Sequence, residues 1–167
     1  MMYPERNLQK KRQSSNNTPV LPERNVVGII TFDGEKFLLL HRVLNWSGWE
    51  FAKGGIEEGE KIEIAIGREL LEETGIPKFE MIGKVDEYYF LNKITGKNVH
   101  VQNYVIRVSS NNRINFDNQP VVDGKVVLEH DDFKWCFPSE AIKMLTHDNS
   151  KRSLKKAVKI LGLSLEK

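Results

Sequence analysis

Residues 54–76 read GGIEEGEKIEIAIGRELLEETGI, and this stretch carries most of what the sequence says about fold and function. Between Lys61 and Thr74 the apolar residues recur at helical spacing, at positions 62, 65, 66, 70 and 71. Gly75 stands where a helix C-cap favours glycine, and Ile76-Pro77 cannot extend the helix. The pattern therefore predicts a helix over 61–74, preceded by a turn at Gly54-Gly55.

Three glutamates of this helix, Glu69, Glu72 and Glu73, are spaced at i, i+3 and i+4. This spacing puts the carboxylates on one helical face, where they repel one another unless a cation lies among them. A solvated acidic face is the ordinary meaning of such a sequence. Arg68 favours a metal site instead, because it can reach Glu72 at i+4 and hold that side chain in place. Mg²⁺, with Mn²⁺ as the alternative, suits these oxygen ligands.

The same stretch resembles the signature of the Nudix hydrolase family, and all nine specified positions match. They are Gly54, Glu60, Arg68, Glu69, Leu70, Glu72, Glu73, Gly75 and Ile76. The resemblance extends to the order of elements over about residues 26–161. It implies an α/β fold, an α/β/α sandwich around a mixed sheet with a catalytic loop-helix-loop. It also implies a metal-dependent pyrophosphohydrolase that acts on a nucleotide.

The resemblance assigns roles to individual positions of this chain. It implies that Glu69, Glu72 and Glu73 are metal ligands and that the carbonyl of Gly54 adds another. Arg68 would orient these ligands as part of the catalytic machinery. Glu60 would be a supporting or second-metal carboxylate, although a glutamate near a helix N-terminus is equally well explained by the helix dipole.

Two further segments are similar to diadenosine tetraphosphate hydrolases. Residues 49–55, WEFAKGG, resemble their Trp-x-Phe-Pro-Lys-Gly sequence, which decapping enzymes share, except that Ala52 replaces the proline. Lys53, beside a glycine turn, is suited to bind a phosphate oxygen. Residues 129–135, EHDDFKW, resemble a second segment of those hydrolases. Glu129 is therefore a candidate metal ligand or general base, although a surface acid in an Asp-rich loop is an equally good interpretation.

Candidate substrate-binding residues also lie on the predicted strands. Nucleobase stacking requires exposed aromatic faces, and Tyr88, Tyr89 and Tyr104 lie on strands opposite the metal-binding sequence. Side chains alternate along a strand, so Tyr88 and Tyr89 point to opposite faces and the sequence leaves open which of them is in the site. His41 and Arg42 lie at the end of the first hairpin, near the site, and are candidate phosphate ligands. Capping the edge of a strand is the more ordinary role for such residues.

The remaining elements follow from alternation and turn residues. Val26–Phe32 and Lys36–His41 predict a β-hairpin with an Asp33-Gly34 turn. A short extended segment at 46–51 is followed, after the helix, by a second hairpin over 84–91 and 98–108. A long loop is predicted at 109–123, a short strand at 134–137 and a helix at 138–145. A final helix begins at Asn149 or Ser150, with lysines opposite its apolar face.

Charge and composition separate residues 1–25 from residues 26–167. Residues 1–25 carry five basic and two acidic side chains and little apolar content, which predicts a basic flexible tail, with residues 26–167 forming one domain. Because residues 149–167 carry six basic and one acidic side chain, the central region is acidic although the whole chain has a net charge of +2. An acidic centre in a protein for an anionic substrate favours bound cations.

The composition also restricts the setting of the protein. No stretch is long and apolar enough for a membrane span, and no signal region is recognisable, so we expect a cytoplasmic protein with no membrane partner. The single cysteine, Cys136, lies between Trp135 and Phe137, which indicates a small core residue rather than a catalytic thiol. The oligomeric state, monomer or dimer, stays open.

Several functions agree with these features. The first is asymmetric cleavage of diadenosine tetraphosphate to ATP and AMP, favoured by residues 49–55 and 129–135. The second is hydrolysis of another Nudix substrate, namely a nucleoside triphosphate, a capped RNA or a diphosphoinositol phosphate. The third is a non-catalytic Nudix-fold module that binds RNA through the basic tail and the lysine-rich last helix. The complete set of carboxylates disfavours the third.

Overall fold

The computed structural model describes residues 24–166, which form a mixed seven-stranded sheet with helices on both faces. The predicted tail therefore lies outside the described residues, apart from Arg24 and Asn25, which begin the first strand. The elements are β1 (Arg24–Phe32), β2 (Phe37–Arg42), β3 (Gly48–Glu50), β4 (Ala52–Gly55), α1 (Ile62–Thr74), β5 (Glu80–Leu91), β6 (Asn98–Arg107), β7 (Val121–Val122), β8 (Lys125–Val126), β9 (His130–Cys136), α2 (Pro138–Met144) and α3 (Asp148–Ile160).

The sheet separates two apolar cores. On one face Ile66 and Leu70 of α1 pack against Val27 and Ile29 of β1. On the other face the core formed by Ile30 and its neighbours includes residues of α2 and α3, which are Ala141, Leu154, Ala157 and Val158. Alternation along β1 supplies both faces, because successive side chains point in opposite directions. The predicted α/β/α sandwich is confirmed.

Helix α1 begins one residue later than predicted and ends at the predicted position. Gly75 adopts the left-handed conformation, with φ of 77°, and its N–H donates to the carbonyl of Leu71. A residue with a Cβ pays a steric penalty in this conformation, so glycine is the natural C-cap. The cap also fixes where the chain leaves the helix that carries the candidate metal ligands.

Strand β1 is the centre of the sheet. It pairs in parallel with β6 over nine residues, from Arg24 with Val99 to Phe32 with Arg107. Its other edge pairs with β4, from Val26 with Gly55 to Ile29 with Ala52, and meets β2 only at Phe32 and Phe37. The predicted first hairpin thus exists as two consecutive strands, but β4 occupies most of the edge that the prediction gave to β2.

Several predicted boundaries were wrong. Gly54-Gly55 is not a turn but the end of strand β4, because pairing with β1 overrides the local preference of the glycines. Strand β5 begins at Glu80 rather than Lys84, β9 begins at His130 rather than Lys134, and α3 begins at Asp148. In the predicted loop, Val121–Val122 forms β7 and pairs with β8.

The loop after β6 forms hydrogen bonds with the end of α1 and with the segment before β9. The N–H of Asn115 donates to the carbonyl of Thr74 at 3.0 Å, and further along the N–H of Glu129 donates to Gln119 Oε1 at 3.0 Å. The N–H of Val43 donates to the carbonyl of Glu129. These bonds hold Glu129 at the end of β2, close to β4 and α1.

Two predictions from composition concerned the single cysteine and membrane-spanning segments. Cys136 is fully buried in the core on the α2 and α3 side of the sheet, as expected of a small core residue. Among residues 24–166, none of the helices combines the length and apolar character that crossing a bilayer requires.

Candidate metal centre and nucleotide cleft

Gly54 leaves room for a carboxylate of α1. A Cβ built on Gly54 would overlap with the carboxylate of Glu69, so no residue with a side chain fits there without moving that carboxylate. Strand β4 and helix α1 thus approach each other at a glycine, with Glu69 directly over the backbone. Pairing between β4 and β1 holds the backbone of Gly54 in place beneath the carboxylate of Glu69.

Arg68 fixes the carboxylates around it. Its Nε and Nη2 donate to Glu60 at 2.9 Å, its Nη1 donates to Glu69 at 2.6 Å, and Nη2 also donates to the carbonyl of Gly55. Glu72, the partner predicted from the i+4 spacing, lies at 3.8 Å, as an ion pair rather than a hydrogen bond. Arg68 therefore positions Glu69 and joins α1 to the loop before it, while Glu60 supports Arg68.

Glu73 is a buried carboxylate with little compensation. Only 6% of its surface is exposed, and its Oε2 accepts a hydrogen bond from the backbone N–H of Lys53 at 2.9 Å. Burial, followed by the neighbouring charges of Glu129, Glu69 and Glu50, raises the pKa of Glu73 well above its ordinary value. No basic side chain of the described residues forms an ion pair with it.

Glu69 is affected in the same direction. Burial raises its pKa, and the charges of Glu72 and Glu129 add to this rise, while Arg68 opposes it. Glu69, Glu73 and Glu129 therefore form a group of carboxylates that repel one another behind Gly54, with Glu72 half exposed beside them. This donor set and the space at Gly54 fit a hard divalent cation, which prefers oxygen ligands and would remove the repulsion.

A second group of titratable residues lies next to the first. The ligand atoms of Glu50, Glu129 and His130 all lie within 4.8 Å of one another. Arg42 Nη1 donates to Glu50 at 3.0 Å and to Glu129 at 2.8 Å, and His130 Nε2 lies 2.9 Å from Glu50. Lys53 Nζ lies 3.1 Å from Glu50 Oε2, as an ion pair without aligned hydrogen-bond geometry.

Arg42 and Lys53 neutralise Glu50, so within this group Glu50 acts as a brace. Burial alone would raise the pKa of Glu50, but the hydrogen bond from His130 and the charges of Lys53 and Arg42 lower it to about 2. The carboxylate is already neutralised by side chains, so a metal ion would have to displace them. Through Arg42, the brace holds Glu129 beside Glu73.

A cleft of about 710 Å³ adjoins both groups. At one end it is lined by Arg42, Glu50, Lys53, Gly54 and Glu129. At the other end its walls are mainly apolar or aromatic, and they include Val26, Tyr88, Phe90, Ile94, Val99 and Val101. The first turns of α3 and the Trp46 and His147 rings, whose centroids are 4.5 Å apart, complete it. Its size and mixed lining suit a nucleotide.

The three candidate tyrosines lie in three different surroundings. Tyr88 lines the cleft and packs against Val26, Val99 and Val101. Tyr89 points to the other face of the sheet and stacks on His100 at 4.2 Å. Tyr104 packs against the core on the α1 face. Alternation explains why Tyr88 and not Tyr89 lines this cleft. Tyr104, the third predicted stacking residue, does not line it either.

The side chains of His41 and Arg42 also point in different directions. Arg42 lines the cleft, whereas His41 points away, with Nδ1 2.6 Å from Asp131 and its ring 5.0 Å from that of Trp49. The prediction that His41 binds phosphate is therefore not supported by its position. Among the described residues, Arg42 Nη2 makes no hydrogen bond, so two of its five N–H donors remain for a ligand.

Sequence reasoning did not identify Glu50 and His130 of the second group, or Trp46 and His147 of the cleft wall, as candidates. Glu50 had a signal, since it is an acid between Trp49 and Phe51 in a segment with little room for a solvated charge. His130 had none beyond its position next to Glu129. Its complete burial and its contact with Glu50 depend on the pairing of β9 with β2.

The sandwich and the carboxylate-bearing helix define a Nudix-type domain. The family model described as the NUDIX domain matches residues 22–158. The chain belongs to this family.

Similar proteins agree with this assignment. An RNA pyrophosphohydrolase of Caulobacter vibrioides is 41% identical over 63 residues, which are 36% of this chain and only 37% of that protein. Nudix hydrolase 25 of Arabidopsis thaliana is 27% identical over 153 residues, covering 81% of this chain and 84% of the relative. The crystal structure of a C. elegans Ap4A hydrolase binary complex has a TM-score of 0.66 at 22% identity, covering 83% of this chain and 98% of that one. At this identity the structural match shows the fold alone.

Proposed function

We propose that this chain is a metal-dependent pyrophosphohydrolase that cleaves diadenosine tetraphosphate asymmetrically to ATP and AMP. One observation carries the proposal. A single cleft joins a polar end beside the carboxylates of α1 to an apolar end that contains Tyr88. A nucleotide has the same division between a charged polyphosphate and a flat base.

The polar end is suited to hold a polyphosphate. Lys53 Nζ, with a side chain that is 41% exposed, and Arg42 Nη2 offer donors to phosphate oxygens from the cleft wall. Glu69, Glu72, Glu73 and Glu129, with the carbonyl of Gly54, would hold Mg²⁺ or Mn²⁺. A bound divalent cation supplies charge neutralisation and activates water for attack on phosphorus. Arg68 keeps Glu69 in its orientation.

Glu129 has the geometry of a positioned acid–base group. Its side chain is 23% exposed, and Arg42 holds one of its oxygens at 2.8 Å. The other oxygen is left to accept a proton from water or to bind metal. We expect Glu129→Gln to slow hydrolysis with little change in substrate binding.

The apolar end gives the cleavage its asymmetry. If one adenine stacks on Tyr88, the distance from this base to the carboxylates of α1 is fixed by the sheet. Water can then attack only one phosphorus, because the carboxylates lie at one end of the cleft. Resemblance to the tetraphosphate hydrolases supports attack on the fourth phosphate counted from the far adenosine.

Incubation of diadenosine tetraphosphate with the protein and Mg²⁺, followed by chromatography, tests the proposal. We expect ATP and AMP in equal amounts. Two ADP, or intact substrate, would reject the assignment. A parallel reaction with Tyr88→Ala should lose much of its rate at low substrate concentration, while Tyr89→Ala, which alters a residue outside the cleft, serves as the matched control.

A second candidate is removal of pyrophosphate from the 5′ end of RNA. Two observations favour it. The relative from Caulobacter vibrioides is an RNA pyrophosphohydrolase. Helix α3, whose first turn lines the cleft, also carries Lys151, Arg152, Lys155 and Lys159, and none of these forms an ion pair within residues 24–166. Such a basic face suits an RNA backbone. Release of pyrophosphate from triphosphorylated RNA at a higher kcat/KM than that for diadenosine tetraphosphate would favour this candidate.

A further inference from the structure

The apolar end of the cleft contains Asn103, a polar side chain that is almost completely buried. Asn103 lies on β6 opposite Gly28 of β1, and only 8% of its surface is exposed. It lines the cleft on the same face as Val101 and Tyr88. A polar group buried among apolar residues is costly unless its hydrogen bonds are made, so the partners of its amide are informative.

The nitrogen of this amide is fully used. Asn103 Nδ2 donates to Asp86 Oδ1 at 2.9 Å and to Ser153 Oγ at 3.2 Å, which accounts for both of its hydrogens. Ser153 Oγ, which has one hydrogen to donate, lies 3.0 Å from the carboxylate oxygens of Asp86 and 3.0 Å from the carbonyl of Asn149. Rotating the amide by 180° would place its carbonyl oxygen against the carboxylate of Asp86. The carboxylate therefore fixes the amide with the nitrogen toward α3 and the oxygen toward β1.

The oxygen of the amide is left available. Within residues 24–166 no donor forms a hydrogen bond with Asn103 Oδ1, and this atom is not among the fully enclosed polar atoms of that region. It lies over Gly28, where a Cβ would overlap with it. Glycine at position 28 thus leaves the space that the carbonyl occupies. Asn103 presents a fixed acceptor, and no donor, to a ligand in the cleft.

The acceptor lies close to the aromatic wall. Along the β5 and β6 pair, Asp86 is opposite Asn103 and Tyr88 is opposite Val101. Two residues along a strand correspond to about 7 Å, so the ring of Tyr88 and the amide of Asn103 are neighbours on one face. A base that contacts Tyr88 would bring one edge toward Asn103 Oδ1.

We propose that Asn103 is a specificity-determining residue that selects a nucleobase with an exocyclic amino group, which is adenine in the proposed substrate. The inference rests on the proposed function, since it requires a nucleobase at this end of the cleft. An acceptor that cannot rotate gains a hydrogen bond from the N6 amino group of adenine. A base without a donor at that edge leaves the acceptor desolvated and unpaired, which lowers its affinity.

Equilibrium binding tests this selection without turnover. The probes are AMP and purine riboside 5′-monophosphate, which differs from AMP only in lacking the amino group. We expect AMP to bind about 10-fold more tightly, as expected for one hydrogen bond to a partly buried acceptor. Inosine monophosphate is a poorer comparison because its N1–H is itself a donor. Equal affinities, or no measurable binding of AMP, would overturn the proposal.

Variants identify the residue responsible. Asn103→Leu should reduce the preference for AMP to less than 2-fold, and Asn111→Leu, which changes an exposed asparagine of the loop after β6, should keep it. If Asn103→Leu does not fold, Asp86→Asn provides the decision. This change removes the charge that orients the amide, so the preference should weaken although Asn103 is still present. An unchanged preference in folded Asn103→Leu, or in Asp86→Asn if Asn103→Leu does not fold, would overturn the proposal.

The two proposals fail in different ways. A preference for AMP with no cleavage of diadenosine tetraphosphate would leave the role of Asn103 standing and reject the proposed reaction. Cleavage to ATP and AMP, together with equal binding of the two monophosphates, would do the reverse.

Discussion

Two buried carboxylates adjoin the same cleft, and their surroundings are opposite. Glu50 is 2% exposed and contacts Arg42, Lys53 and His130, so its pKa is lowered to about 2. Glu73 is 6% exposed and receives one backbone N–H, and burial with three nearby carboxylates raises its pKa. Burial alone therefore does not show which carboxylate is left free to bind a cation. The difference lies in whether protein cations already neutralise the carboxylate.

The largest expected effect is on turnover at the carboxylates of α1. Glu73→Gln should lower kcat by about 10²-fold or more, because it removes a charge of the proposed metal site. Glu72→Gln should do the same, although its side chain is half exposed. Neither change removes a partner of a core cation, so unfolding in the absence of metal should occur at an unchanged or higher denaturant concentration. Near-normal rates in both variants would contradict the metal site.

Next in size is the loss of stability expected for the braced carboxylate. Glu50→Gln removes the counter-charge of Lys53 and one of the two counter-charges of Arg42, which keeps Glu129. Because Lys53 is partly exposed and Arg42 keeps a partner, we expect the free energy of unfolding to fall by about 2 kcal/mol in the absence of metal, less than for a fully buried pair. Urea unfolding measures this change. Glu87→Gln, in an exposed group with Lys84 and His100, is the matched control and should change stability by less than about 1 kcal/mol. An unaffected Glu50→Gln protein would show that the brace is not needed for stability.

A smaller difference in stability is expected when Mg²⁺ is added to the Glu50 and Glu73 variants. At a free Mg²⁺ concentration ten times the Kd, the wild-type protein should gain about 1.4 kcal/mol. Glu50→Gln should keep this gain, and Glu73→Gln should lose most of it, because binding requires the charge of Glu73. Thermal unfolding with and without Mg²⁺ checks both. An equal gain in the two variants would mean that Mg²⁺ binds elsewhere.

The smallest effect is expected from residues 1–20. Their sequence contains no ligand pattern and no core pattern, so their deletion should change neither turnover of a small nucleotide nor the stabilisation by Mg²⁺. Rates measured on the shortened chain should agree with the full chain within about 2-fold. A large loss would mean that these residues contribute to the site.

The local part of the site was accessible from the sequence, and the part made by distant strands was not. Periodicity and a C-cap glycine located α1 to within one residue, because they depend on contacts within a single helix. The Glu50 and His130 contact joins residues 80 positions apart and depends on β3 and β9 both pairing with β2. Gly54-Gly55 was misassigned for the same reason, since only β1 makes it a strand.

The cleft residues show the same limit at the level of single side chains. Alternation indicated that only one of Tyr88 and Tyr89 could enter the site, but it could not choose between them without the position of the sheet. Asn103 gave no signal at all. Its role depends on Asp86 and Ser153, which come from two other elements.

The central position of β1 has a consequence for synthesis on the ribosome. Its parallel partner β6 ends at Arg107. After Phe32, the last residue of β1, 75 further residues must therefore be synthesised before β6 can cover that edge of β1. At translation rates of roughly 5–20 residues per second this takes about 4–15 s. During that time the nascent chain exposes a strand rich in valine and isoleucine with an open edge, which is a template for wrong pairing. We therefore expect nascent chains stalled before β6 to be more prone to wrong pairing than chains that include it.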